Sequence, residues 1–131
     1  MPDLINRVHG NTMRIPLHEL VQLLNKNLGT TLVAYMANVR SRQLPNKWAL
    51  DPKDPNHVDP HDDVKKRLQL AYQAFQAIDD SESEHVARQW LIGANPRFDG
   101  QTPAERIREF DSSAVYGALR SFLEDGGSGG A

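Results

Sequence analysis

Residues able to do chemistry gather in three places. The run TTLVAYMANVRSRQLPNKWA at 30–49 carries Arg40, Arg42, Gln43, Asn46 and Lys47. Arg and Lys neutralise phosphate or pair with guanine, and Gln and Asn pair with adenine, so this is the composition of a DNA-reading segment. The alternative is a polar helix face with no ligand. In the second place, His57, Asp59, His61, Asp62 and Asp63 offer nitrogen and oxygen ligands close together. A metal reading stands there against that of a solvated acidic loop, and the expectation is no metal, because flexible loops do not preorganise ligands. In the third, Trp90 and Phe98 flank an Asn95-Pro96 turn. Trp90 reads as core, whereas Phe98, in a turn, reads as an exposed aromatic able to anchor a partner. No Gly-rich loop is followed by Lys-Ser or Lys-Thr, and no Ser/His/Asp constellation can be argued. The expectation is a binding protein with no catalytic residue and no cofactor.

The elements that must position these residues are helical. Leu17, Leu20, Val21, Leu24 and Leu28 recur at three- and four-residue steps, one face of an amphipathic helix. Pro16 suits its first turn and Gly29 its end. Thr30 or Thr31 can cap a second, shorter helix holding Leu32, Val33, Tyr35 and Met36. A break at Asn38-Val39-Arg40 precedes a third segment, Arg42 to Ala49, capped by Ser41. Residues 51–63 are rich in Pro and Asp and read as a loop or linker. Val64, Leu68, Ala71, Tyr72, Phe75 and Ile78 then form the clearest stripe in the chain, with a break at Asp79-Asp80-Ser81. Ser81 or Ser83 can open the next helix, which Gly93 ends. Thr102-Pro103-Ala104-Glu105 is a strong start signal, with Thr at the cap, Pro in the first turn and Glu three residues after the cap. Ile107 and Phe110 face inward. Ser112 or Ser113 opens the last helix, with Val115, Leu119, Phe122 and Leu123 on one face. No β alternation and no sequence repeat is present.

Composition limits the function classes. The chain has 131 residues, net charge −2 and no cysteine, which excludes disulfides and Cys-ligated metals. No run of eighteen apolar residues offers a membrane span, and no secretory signal is visible at the N-terminus. A cytoplasmic protein is expected. Charge is uneven: residues 1–50 balance to +4 and residues 51–131 to −6. A basic half beside an acidic half points to two different partners, one of them a polyanion, unless the drift is accidental.

Helix, tight turn and basic helix over 30–49 give the layout of a helix-turn-helix. Pro45 cuts across it. It falls around the fourth position of the proposed recognition helix, where a backbone donor is already expected, and forces either a later helix start or a kink.

At 84–124 the sequence EHVARQWLIGANPRFDGQTPAERIREFDSSAVYGALRSFLE resembles the toxin-binding domain of the Xre/MbcA/ParS class of bacterial antitoxins. The shared features are the Ala87-to-Leu91 helix with Trp90, the Asn95-Pro96 turn, the Phe98-Asp99-Gly100 connection and Thr102-Pro103-Ala104-Glu105. A closing helix with Val115 and Leu119 completes the pattern. Residues 17–49 look like the divergent helix-turn-helix that precedes this domain in family members, with Pro45 in place of the usual apolar residue. The resemblance implies an all-α fold, a small helical bundle with a tail at 1–14 and a helix-turn-helix-like region at 15–50. It also implies a helical toxin-binding domain at 64–125; the acidic Pro-rich loop at 51–63, which looks like an insertion, and the Gly-rich flexible tail at 126–131 depart from the family and are read from the residues. It implies a partner toxin of the RES type, which destroys NAD, obstructed at its active-site entrance by the C-terminal domain. Toxin contact would fall on Trp90, Asn95, Pro96, Arg97, Phe98, Leu119, Phe122 and Leu123. Operator DNA would be read by Arg40, Arg42, Gln43, Asn46 and Lys47. A homodimer or a larger assembly with toxin would be the working form. The alternative is a helix-turn-helix regulator without a toxin, and a plain dimerisation module stands behind both.

Overall fold

The computed structural model describes residues 14–125; the expected tails lie outside them except for Arg14. Among the described residues the chain is all-α, with no strand. The helices are α1 (Leu17–Leu28), α2 (Thr30–Met36), α3 (Leu44–Trp48), α4 (Asp62–Ser81), α5 (Glu84–Ile92), α6 (Pro103–Arg108) and α7 (Ser112–Glu124), with a 3-10 turn at Pro96–Phe98.

Local chemistry explains most of the boundaries. The apolar face read from α1 is the one it buries, through Leu20, Val21, Leu24 and Leu28. A single residue, Gly29, separates α1 from α2, at φ 86° and ψ 151°. That region of backbone space is closed to residues with a Cβ, so the sharp corner depends on glycine. Gly29, rather than Thr30 or Thr31, is therefore the cap of α2, and no side chain caps it. At the far end of α2, Asn38 takes φ 64°. Its N–H reaches the Tyr35 carbonyl and the Val39 N–H reaches that of Ala34, the paired bonds of a Schellman ending. At α6 the Thr102 side chain and Glu105 form the expected capping box. Asp111, rather than either serine, caps α7 by accepting from the Ala114 N–H.

The core is one cluster that draws Leu24, Val33, Trp48, Phe75, Leu91, Ile107 and Leu119 from both halves of the chain. At its centre is α4, which packs against α1, α2, α5, α6 and α7. This helix is longer than its stripe predicts: it begins at Asp62 instead of Val64 and runs to Ser81 through the expected break. Asp62 and Asp63 sit in its first turn, where carboxylates suit the helix dipole. Its middle is buried on nearly every side, including Leu70, Gln73, Ala74 and Ala77 off the predicted stripe. Gln73 is satisfied there by the hydroxyl of Tyr116 on α7, which donates to its Oε1.

Arginines fasten helix ends across long sequence distances. Arg67 Nε on α4 donates to the Arg108 carbonyl at the end of α6 at 2.8 Å. Arg108 Nη1 in turn donates to the Tyr35 carbonyl of α2 at 2.7 Å, with its guanidinium 4.7 Å from the centre of the Tyr35 ring. Carbonyls at helix C-termini lack intrahelical donors and carry partial negative charge, so cations suit them.

Candidate functional site

The basic set lies at one end of the bundle. The spacing predicts a third helix over 42–49; the observed α3 spans only Leu44–Trp48, with Pro45 in its first turn. Of the two outcomes open to Pro45, the later start is the one taken, because a proline in the first turn sacrifices no intrahelical donor. Arg42 and Gln43 therefore precede α3, and Asn46 and Lys47 lie on it. All five candidate DNA residues, Arg40 included, are exposed. None of Arg40, Arg42 and Lys47 has an ion pair among the described residues. Pro45 and Trp48 face inward and are buried.

The Pro- and Asp-rich loop is tied to this end. Asp51 and Asp54 each open a turn: Asp51 Oδ1 accepts from the Lys53 N–H and Asp54 Oδ1 from the Asn56 N–H, both at 2.8 Å. A proline follows each Asp and presets the backbone for the next turn position. The Val58 N–H reaches the Lys47 carbonyl at 3.3 Å. His57 is the anchor, with Nδ1 2.8 Å from the Leu50 carbonyl and Nε2 2.7 Å from Asp59 Oδ1. Both partners are acceptors, so the ring bonds both only when each nitrogen carries its hydrogen. Asp62 and Asp63 pair with Lys65 and Lys66 on α4. Among the described residues no group of three His, Asp or Glu side chains is placed to hold a metal ion. A cavity of about 210 Å³ opens between the loop and the start of α1, lined by Leu17, His18, Trp48, His57 and Pro60 among others.

The C-terminal candidates separate by burial. Ser83 caps α5, accepting from the Val86 N–H, and the helix carries Trp90, half-buried. The Trp90 ring centre lies 6.2 Å from that of Phe122 on α7, the planes tilted by 56°. The 3-10 turn is held by Asn95, whose Oδ1 accepts from the Arg97 N–H at 2.9 Å. Asp99 at φ 54° and Gly100 at φ 89° then reverse the chain. Pro96 and Arg97 are exposed and Asn95 is half-buried.

Three of the expected contact residues are buried. Phe98 is 4% exposed, so it is not an open aromatic anchor. The 3-10 turn swings its ring inward, beneath the guanidinium of Arg106, which lies 5.1 Å from the ring centre. Leu119 and Leu123, on the inner face of α7, are 0% and 3% exposed and belong to the core. Phe110, expected to face inward, is half-buried at a left-handed φ of 55°, with Lys66 Nζ 4.5 Å from its ring centre. Trp90, Asn95, Pro96, Arg97 and Phe122 are each at least partly exposed, on α5, the turn and α7.

One member of this surface was missed. Gly117 lies inside α7, and a Cβ built there would stand 3.1 Å from Arg97 Nη2. The guanidinium rests on the helix at that point and donates from Nη1 to Ser121 Oγ at 3.1 Å. The available signal was the glycine itself, which costs about 1 kcal/mol against alanine in a helical pattern. Nearby, burial raises the Tyr116 hydroxyl above the ordinary tyrosine range, with Arg120 working against it.

No protein-family model matches the chain, and neither curated proteins nor solved structures gave a match. Among the described residues no helix is long and apolar enough to cross a membrane.

Proposed function

We propose that this chain is an antitoxin of the Xre/MbcA/ParS class, which neutralises a RES-type, NAD-destroying toxin by covering its active-site entrance. The carrying observation is that Trp90 and Phe122, in ring contact, and Arg97, seated on the same α7, are all at least partly exposed. These are an aromatic pair and an arginine, the residue types that dominate binding energy at protein interfaces. The order helix, turn, capped helix and closing helix across 84–124 is the order on which the sequence resemblance rests. The inhibitor works by occlusion: burial of this patch, with Asn95 and Pro96 at its rim, closes access for the substrate. A standard interface of roughly 1,200–2,000 Å² in total is expected. The acidic balance of the C-terminal half favours a toxin with a basic mouth, as a site for the anion NAD would have. The chain then acts in a bacterial cytoplasm, as a homodimer or in a larger assembly with its toxin.

The test is co-expression with the neighbouring reading frame, followed by pull-down and mass measurement. A stable complex and restored growth are expected. A toxic neighbour that forms no complex and is not neutralised would overturn the assignment.

A second reading is favoured by a specific observation: Arg40, Arg42, Gln43, Asn46 and Lys47 are all exposed at one end of the bundle. A DNA-binding regulator, with or without a toxin, would use them. Operator retention should then fall steeply with salt. Retention unchanged in the R42A/K47A variant would remove DNA contact from this end.

A further inference from the structure

Arg97 is held at both ends and has no ion pair among the described residues. Its backbone N–H is bound by Asn95 Oδ1. The buried Phe98 ring fixes the turn from inside. Its side chain then crosses to α7 and ends close to Gly117, with Nη1 donating to Ser121 Oγ. Positions 117 and 121 are one helical turn apart, so the helix offers a notch and a hydroxyl on the same face. By contrast, Arg106 has Glu109 and Asp111 within 3.6 Å, and Lys65 and Lys66 have Asp62 and Asp63. No carboxylate reaches Arg97 among the described residues. A guanidinium has five N–H donors, and Ser121 engages one of them. Glycine is a poor choice for a helix interior, and here a Cβ would stand 3.1 Å from Arg97 Nη2, close enough that the guanidinium would have to give by a few tenths of an ångström.

We propose that Arg97 is a preorganised receptor for a single carboxylate on a partner protein. The proposal rests on the reading of this face as a protein-binding surface, and not on the identity of the toxin. The fork geometry of a guanidinium matches a carboxylate through two parallel bonds. Fixing the side chain beforehand removes the rotamer entropy that an ordinary surface arginine loses on binding. The Trp90–Phe122 pair meets at the same helix, about 100° around α7 from Ser121, and offers apolar area to partner residues that flank the carboxylate. A nucleic acid fits poorly, because its next phosphates would meet the exposed Glu124 and Asp125 at the end of the same helix.

The experiment is an NMR titration of the full chain, observing the arginine Nε–H and tryptophan indole N–H signals. The probe is an acetylated peptide of alternating Glu and Leu, and its Gln–Leu counterpart is the control. The Arg97 and Trp90 signals should move together with the Glu peptide, and the Gln peptide should bind about tenfold more weakly. Arg97→Gln should abolish that preference. Gly117→Ala keeps the arginine but displaces its guanidinium by a few tenths of an ångström, and should weaken the Glu peptide while the core signals stay in place. Ser121→Ala should act in the same direction with a smaller loss. Equal response to the two peptides would overturn the proposal. So would equal response to inorganic phosphate with Trp90 unmoved, or undiminished binding by both the Gly117 and Ser121 variants. Selective Glu-peptide binding in a chain that forms no toxin complex upholds the receptor and transfers it to another partner.

Discussion

Substituting Phe110 with Gly, and separately with Ala, sets a backbone term against a side-chain term whose sizes can be worked from the structure. Phe110 sits at the Schellman ending of α6, its N–H on the Ile107 carbonyl and the next N–H, that of Asp111, on the Arg106 carbonyl, each at 2.9 Å. At φ 55° a residue with a Cβ bears about 1–2 kcal/mol of strain. The half-buried ring offsets this. Half of a full aromatic burial is worth about 1 kcal/mol, and the Lys66 ammonium over the ring adds about 0.5–1 kcal/mol. Phe110→Ala loses those contacts and keeps the strain, so it should cost about 1.5–2 kcal/mol. Phe110→Gly loses the same contacts and sheds the strain, less about 0.4–1 kcal/mol of added unfolded-chain entropy. It should therefore be the more stable of the two by about 0.5–1 kcal/mol. Urea denaturation at equal m-value reads the difference. A Gly variant no more stable than the Ala variant would refute the reasoning, because the left-handed backbone would then store no strain at this position.

Two further predictions follow from burial and charge. Phe98→Ala should cost about 3–5 kcal/mol, the range for deleting a buried aromatic ring, and lower the thermal midpoint by several degrees or more; an unchanged midpoint would return Phe98 to the surface. Asp79, at the acidic end of α4, has its carboxyl pushed above the ordinary range, first by burial and then by the neighbouring carboxylates of Asp80 and Glu84. The fold thus favours the neutral acid, so Asp79 contributes stability that is full below its unfolded pKa and lost as pH rises through the higher folded one. Asp79→Asn should melt above the unsubstituted chain at pH 7 and level with it at pH 3, and the same gap at both values would rule the charge out as the cause.

What could be read from the sequence was whatever a few consecutive residues decide. Thr102-Pro103-Ala104-Glu105 forms its capping box because every partner lies within one turn, and Leu20, Val21, Leu24 and Leu28 are buried because helical spacing alone puts them on one face. Pro45 announced a fork between a late start and a kink, but the choice fell to packing, which buries Pro45 and Trp48 and leaves α3 five residues long. The misreadings share that cause. Asp79 and Asp80 look like a helix break until α4 is packed on several sides, where the neighbours keep it helical to Ser81. Phe98 in a turn looks exposed until the turn is folded over the core beneath Arg106. The all-α class is therefore a property of local pattern, whereas the surface proposed for a partner depends on contacts no local window contains. Arg108 meets Tyr35 across 73 positions and Arg97 meets Ser121 across 24. In the second case a single residue records the distant contact locally: a glycine at 117, where helix propensity alone would favour almost any residue but proline.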